Sequence, residues 1–211
     1  MAKSSAVVYY SKHGTAKEYA EWIAEETGSV LLDGSQTKYR DLEPYDILII
    51  GGGIHSGGIQ GREFIQKAMK KKKWKDKLVL AFGVGITVDD EANRAQADEI
   101  NFPRWAAYVP CWYLPGRYDP AEIKGLDKQI MSMTRKMIEG GNANAFGRTL
   151  LGYIDNGCDL RDRTRIAPLV EEIRRLQADD TITRQAQIAP PDAAQREASY
   201  ESLLDKFRKM I

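Results

Sequence analysis

Ala6-Val7-Val8-Tyr9-Tyr10-Ser11-Lys12-His13-Gly14-Thr15-Ala16 is the stretch from which the chain is best read. Ala6–Tyr10 is short, apolar and rich in β-formers, as a buried strand should be. Tyr19, Ala20, Ile23 and Ala24 then recur at helical spacing, which predicts a helix over roughly Thr15–Thr27. The polar loop between them opens that helix. It offers unpaired N–H groups of residues 12–16, the hydroxyls of Ser11 and Thr15, and the positive end of a helix dipole. Such a loop suits a phosphate, although an ordinary turn capped by Ser11 is the plainer alternative. Neither GxxxxGK[ST] nor GxGxxG occurs, so a nucleoside triphosphate or a dinucleotide is not indicated.

The flanking sequence alternates strand and helix, which implies a parallel sheet covered on both faces. Ser29–Asp33 reads as an edge-side strand. Asp46–Gly51 is the strongest buried strand, and a glycine-rich loop, Gly52 to Gly61, leads from it to a helix near Arg62–Lys73. Leu78–Gly83 is another buried strand, closed by Gly83-Val84-Gly85-Ile86-Thr87. Asp89–Asn101 reads as an exposed helix and Ala106–Trp112 as the next strand. Helices are expected at Leu126–Ile138 and Asp162–Gln177. The expected fold is therefore a doubly wound α/β domain over residues 1–177, with five parallel strands in the order 2-1-3-4-5. Ligands of such sheets bind beyond the carboxyl ends of the strands. Three loops rich in small residues lie there, at 11–16, 52–58 and 83–87.

Composition narrows the class. The 211 residues carry a formal net charge of +1 at pI about 7.7, so no global field selects nucleic acid. With 43% hydrophobic residues a sizeable core can form, yet no apolar run approaches the ~20 residues of a membrane span. The N-terminus lacks a long apolar leader. Cys111 and Cys158 form no CxxC pair and no disulfide framework. A cytoplasmic setting is expected, with attachment to a membrane surface left open. Residues 178–211 differ: a polar arm with Pro190-Pro191 precedes Tyr200, Leu203, Leu204, Phe207 and Met210 on one helical stripe. That helix would dock on its own body or pair two subunits in a homodimer.

The three loops, in this order, resemble those of flavodoxin-like FMN proteins. The likeness is nearest to the branch containing the menaquinone-dependent protoporphyrinogen oxidases. Tyr10 to Ala16 looks like that branch's phosphate loop, and Tyr45-Asp46 through Gly51-Gly52-Gly53-Ile54-His55-Ser56-Gly57 like its second flavin loop. The helix after Thr87 and the stretch Leu114-Pro115-Gly116-Arg117-Tyr118 also match its layout. The resemblance spans roughly residues 4–177. It implies FMN as cofactor, held by Ser11, Lys12, His13, Gly14, Thr15 and Ala16 at the phosphate. Gly52, Gly53, Ile54, His55, Ser56 and Gly57, with Gly83, Val84, Gly85 and Ile86, would lie along the ring. It further implies oxidation of a reduced small molecule, protoporphyrinogen-like, with a quinone as acceptor. Ala16 departs from the threonine frequent at that place in the family.

No catalytic side chain and no metal site is assigned, since the flavin itself carries the redox chemistry. The two histidines, His13 and His55, both fall in the proposed flavin loops. His55 is a candidate ring-flanking or proton-relay group. Trp112 and Tyr113 would stack on the flavin or pack at the sheet edge, and Arg117 and Tyr118 are candidates for a substrate rim. Two other readings stand beside the enzyme: an electron carrier with a redox protein partner, and a flavodoxin-like scaffold that has lost FMN.

Overall fold

The computed structural model describes residues 2–70, 72–102, 109–141 and 144–183. The arm and stripe proposed for the C-terminal end lie outside the described residues from 184 onward. Five parallel strands form the sheet: β1 Ser5–Tyr10, β2 Val30–Asp33, β3 Ile47–His55, β5 Leu78–Gly85 and β6 Cys111–Pro115. Their order is β2-β1-β3-β5-β6, which is the expected 2-1-3-4-5 of the parallel strands. The interposed β4, Gly58–Ile59, pairs only with β3, antiparallel.

β3 shows why the sheet is central. Ile47, Leu48, Ile49 and Ile50 are all fully buried. Alternate side chains enter opposite cores, because successive residues of a strand face opposite ways. Ile47 and Ile49 join Val7, Leu80 and Phe82 beneath two helices, α1 Thr15–Thr27 and α6 Ala167–Ala178. Leu48 and Ile50 join Val8, Ala81, Ile65 and Trp74 on the other face, beside α2 Arg62–Met69. α1 buries Ala16, Tyr19, Ala20, Ile23, Ala24 and Thr27, the i, i+3, i+4, i+7 stripe seen in the sequence, and stops at Gly28 in the left-handed region.

Several boundaries differ from the expectations. β3 does not end at Gly51: it runs through Gly51-Gly52-Gly53 to His55, because these glycines sit in the parallel ladder with β1 and β5. The glycine-rich segment is thus strand and hairpin rather than loop. Ser56 and Gly57, both at positive φ, make the two-residue turn into β4. β5 likewise extends to Gly85, and α2 stops at Met69, before a short 3-10 turn at Lys72–Trp74. β6 begins at Cys111, not Ala106, and residues 103–108 lie outside the described set. α3, Glu91–Asn101, is capped by the Asp90 carboxylate. The final helix starts at Ala167, after a 3-10 turn at Arg163–Ile166.

The helix expected at Leu126–Ile138 is α4, Gly125–Glu139. Three elements that follow or flank it have no counterpart in the sequence reading. α4 leads into α5, Ala145–Asn156, which is capped by Asn144. β7, Arg117–Tyr118, pairs antiparallel with β8, Cys158–Asp159, and brings the chain back to the body.

Asn101 closes α3 and ties it to the hairpin. It is buried; its Oδ1 accepts from the Ile59 N–H at 2.7 Å, and its Nδ2 donates to the Gly57 and Ala97 carbonyls at 2.8 and 2.7 Å. Asn101→Ala would leave buried backbone groups unpaired, which costs about 1–3 kcal/mol. Urea denaturation should show that loss, and amide exchange should show it centred on residues 54–60.

Candidate functional site

β1, β3, β5 and β6 all end at one rim of the sheet, and the segments that follow them enclose one cleft. It is an open cleft of about 950 Å³ with its solvent side included. Ser11, Lys12, His13, Thr15 and Ala16 form one wall; Gly53, Ile54, His55 and Ser56 form the second; Val84, Gly85 and Ile86 the third. Residues that follow β6, from Gly116 to Met131, supply a fourth.

Four proposed residues serve the cleft from behind. Gly14 is the N-cap of α1 at φ 88°, a conformation strained for side chains other than hydrogen, and makes no side-chain cap. The first N–H groups of α1 therefore have no partner within the helix. Gly52 lies under the hairpin, where a side chain would meet the Gln60 carbonyl at 2.6 Å. Gly57 holds the turn and Gly83 packs beneath Ile54 and Ile59. Ala16 is only 2% exposed and its methyl belongs to the core, so a larger side chain there would have to be buried.

Trp112 and Tyr113 do not line the cleft. Trp112 packs against the α1–α6 core, and the Tyr113 hydroxyl donates to Asp98 at 2.7 Å on α3. Both stand within β6 rather than beyond its end, which turns their side chains to the sheet faces. Arg117 and Tyr118 do reach the rim. Arg117 is already paired with Asp119 at 3.1 Å and Glu122 at 3.0 Å.

Two cleft groups were not singled out in the sequence. Gln60 Oε1 is, among the described residues, the one buried side-chain polar atom with no hydrogen-bond partner. A buried acceptor of this kind calls for a donor, which a ligand, a water or the neighbouring His55 ring can supply. Asp127, in the first turn of α4, reaches across to Lys12 Nζ at 2.6 Å and His13 Nε2 at 3.3 Å, with His55 Nδ1 at 3.9 Å. No local pattern marks either: Asp127 meets Lys12 and His13 more than a hundred positions away, and Gln60 stands out only once the hairpin is folded.

The Lys12 ammonium, followed by the His13 ring, holds the Asp127 carboxyl below the usual carboxylate range. His55 moves down from the usual histidine range, chiefly because burial disfavours its charged form, against an opposing pull from Asp127.

A family model described as a flavodoxin domain matches residues 6–144. The chain belongs to this family. Membership implies flavin binding and a redox role. No curated protein matches the chain. Among solved structures it is similar to the flavodoxin, WrbA-like protein from Agrobacterium tumefaciens, at 27% identity and a TM-score of 0.34. That match covers 39% of this chain and 59% of the other, so the chain spans about three fifths of that relative's length. It is also similar to a flavodoxin from the domain Archaea, at 15% identity and a TM-score of 0.37, over 72% of this chain and 96% of that one. No described helix is long and apolar enough to cross a membrane.

The residues present fit a flavin phosphate compound. The uncapped helix start and the small residues of the 11–16 loop offer donors to an anion. Gly53, the glycine of β3 facing the cleft, keeps the backbone bare there, since a side chain would crowd Gln60 Oε1 at 3.2 Å and His55 Nε2 at 3.4 Å.

The His55 shift has a definite sign. A base whose folded pKa lies below its unfolded value leaves the unfolded chain binding more protons as pH falls, so stability is lost below about pH 6.5. NMR titration should show His55 neutral at pH 6.5. Replacing His55 by Gln should flatten that part of the stability–pH curve.

Proposed function

We propose that this flavodoxin-domain protein binds FMN and oxidises a reduced small molecule, passing electrons to a quinone, as its resemblance to the menaquinone-dependent protoporphyrinogen oxidases implies. The supporting observation is the fourth wall. Beyond β6 the chain does not leave the cleft; Ile123, Ile130 and Met131 line it opposite the flavin loops. This apolar side gives a planar, poorly charged reactant a place next to the ring, which a bare strand-end crevice would not.

FMN, when bound, supplies reversible electron uptake at its ring. The chain's own residues then bind and orient. The α1 N-terminus and the Ser11 and Thr15 hydroxyls hold the phosphate. The end of β3 and its hairpin, fixed by Asn101, carry the ring, with Gln60 Oε1 as an acceptor for a ring N–H. Ile123, Ile130 and Met131 exclude water from the reactant side. His55, whose pKa burial lowers, would be the nearby group able to take up a proton when the flavin is bound. The family's usual threonine hydroxyl is absent at Ala16, so Thr15 and Ser11 are the hydroxyl donors here.

One observation favours the carrier reading instead. On α4, beside the cleft, Leu126, Met133 and Met137 are 64–71% exposed, an apolar face that a redox protein would cover. A stable one-electron-reduced flavin with little turnover on small donors would favour that reading.

Titration with FMN, FAD and riboflavin tests the site. Tight FMN binding with weak riboflavin binding is expected, and absence of binding to folded protein would sink the proposal. Ser11→Asp, which places a carboxylate in the loop without touching the strained Gly14, should weaken FMN by about a hundredfold or more while sparing riboflavin.

A further inference from the structure

The Asp127 carboxylate stands where it opposes the ligand that the 11–16 loop is built to take. It occupies Lys12 at 2.6 Å and His13 at 3.3 Å, the two cation-forming side chains of that loop, and lies 3.9 Å from His55 at the end of β3. Its own side chain is only 16% exposed. All four residues line the cleft. A carboxylate in this place acts twice against an incoming phosphate: it neutralises the charges that would attract it and repels it directly.

α4 makes this contact informative. None of its residues is buried. Its described polar ties elsewhere run to α5, through Arg135 to Asp155 at 2.8 Å. Asp127 is thus the ion-pairing link between the start of α4 and the strand-end loops. A helix held so lightly can exchange one anion for another without opening the core.

We propose that Asp127 is a specificity-determining carboxylate: it stands in for an anion at the phosphate loop, and a phosphate-bearing ligand must displace it. The flavin's phosphate monoester replaces the carboxylate on Lys12 and His13, and the first turn of α4 is released. Asp127 thereby selects for ligands whose phosphate carries more charge than the carboxylate it displaces. This rests on assigning the 11–16 loop to a flavin phosphate, and the test separates the two claims.

Asp127→Asn keeps the shape of the side chain and removes its charge. FMN should bind the variant on the order of tenfold more tightly at low salt, with the gain shrinking as salt rises. Riboflavin, which has no phosphate, should bind both proteins equally. Asp127→Glu, which keeps a carboxylate, should stay close to the parent. Unchanged or weaker FMN binding by the Asn variant overturns the proposal, because Asp127 would then merely position Lys12 and His13. An equal gain for riboflavin also overturns it, since the effect would come from a loosened α4 and not from charge. Inorganic phosphate, titrated by NMR while the His13 and His55 ring signals are followed, runs the same comparison without flavin. If neither protein binds flavin, the flavin reading falls. Tighter phosphate binding by Asp127→Asn would still uphold the displacement, and equal phosphate binding would end it.

Discussion

β3 is hydrogen-bonded along both edges and buried on both faces, and it outruns its neighbours. Its first four residues fill the two cores at once, while its last three run past the end of β1 and its last two past the ladder with β5. A strand projecting beyond its partners needs something to pair with. Here it turns at Ser56-Gly57 and pairs with itself through β4. The turn succeeds because Gly52 has no side chain to keep the Gln60 backbone away, and because the Gln60 N–H reaches the Gly53 carbonyl at 2.9 Å. Asn101 then holds the hairpin from the α3 side. The hairpin at the end of β3 is therefore a rigid projection of the central strand, stabilised from three directions. That rigidity lets backbone groups present fixed donors and acceptors to a planar ligand.

The electrostatics of the cleft follow from the same frame. β1 and β3 are adjacent, so the loop after β1 and the end of β3 lie side by side, and His13 and His55 approach with ring centroids 5.9 Å apart. Two histidines and a lysine converging on one rim create a site for negative charge. In the ligand-free chain Asp127 meets that demand. Burial lowers the His55 pKa, and its ring is the farthest of the three at 3.9 Å, so the carboxylate is shared chiefly between Lys12 and His13.

Much of this was legible in the sequence, and the exceptions have physical reasons. The strand cores were visible because a sheet covered on both faces needs runs such as Ile47–Ile50, and α1 because its stripe is regular and closed by Gly28. The polar loop at residues 11–16 was legible for the same reason, since it lies between two such elements and opens α1. The glycine triplet misled because glycine signals a turn by default, whereas here it admits a crossing backbone within a strand. Of the two readings of Trp112 and Tyr113, the structure shows packing at the sheet edge; the sequence could not choose, because the β6 register depends on pairing with β5, a non-local contact. The α5 helix had its signals, Asn144 before it and Gly157 after it, but packs its partner α4 rather than the sheet. Asn101, Gln60 and Asp127 were out of reach, since each acts on residues that only folding brings near.

The molecule is unevenly held, and the unevenness has a direction. Below the cleft, the sheet and the α1–α6 layer bury every strand residue that matters to packing, and such elements open only with the whole domain. Above it, the segment from Gly116 to Glu139 is fixed at its start, where the Gly116 N–H donates to the Gly85 carbonyl at 2.9 Å and the Gly116 carbonyl accepts from Leu160 at 3.0 Å. Past Ile123 no residue of α4 is buried, and its described charged ties run from Asp127 to the loops and from Arg135 to Asp155. Surface ion pairs contribute little stability and weaken further with salt. The side that presents the flavin loops is thus set by packing, while the side that would face a reactant is set by charges a ligand can rearrange. A cofactor kept for many turnovers needs the first kind of wall, and a reactant that must enter and leave needs the second.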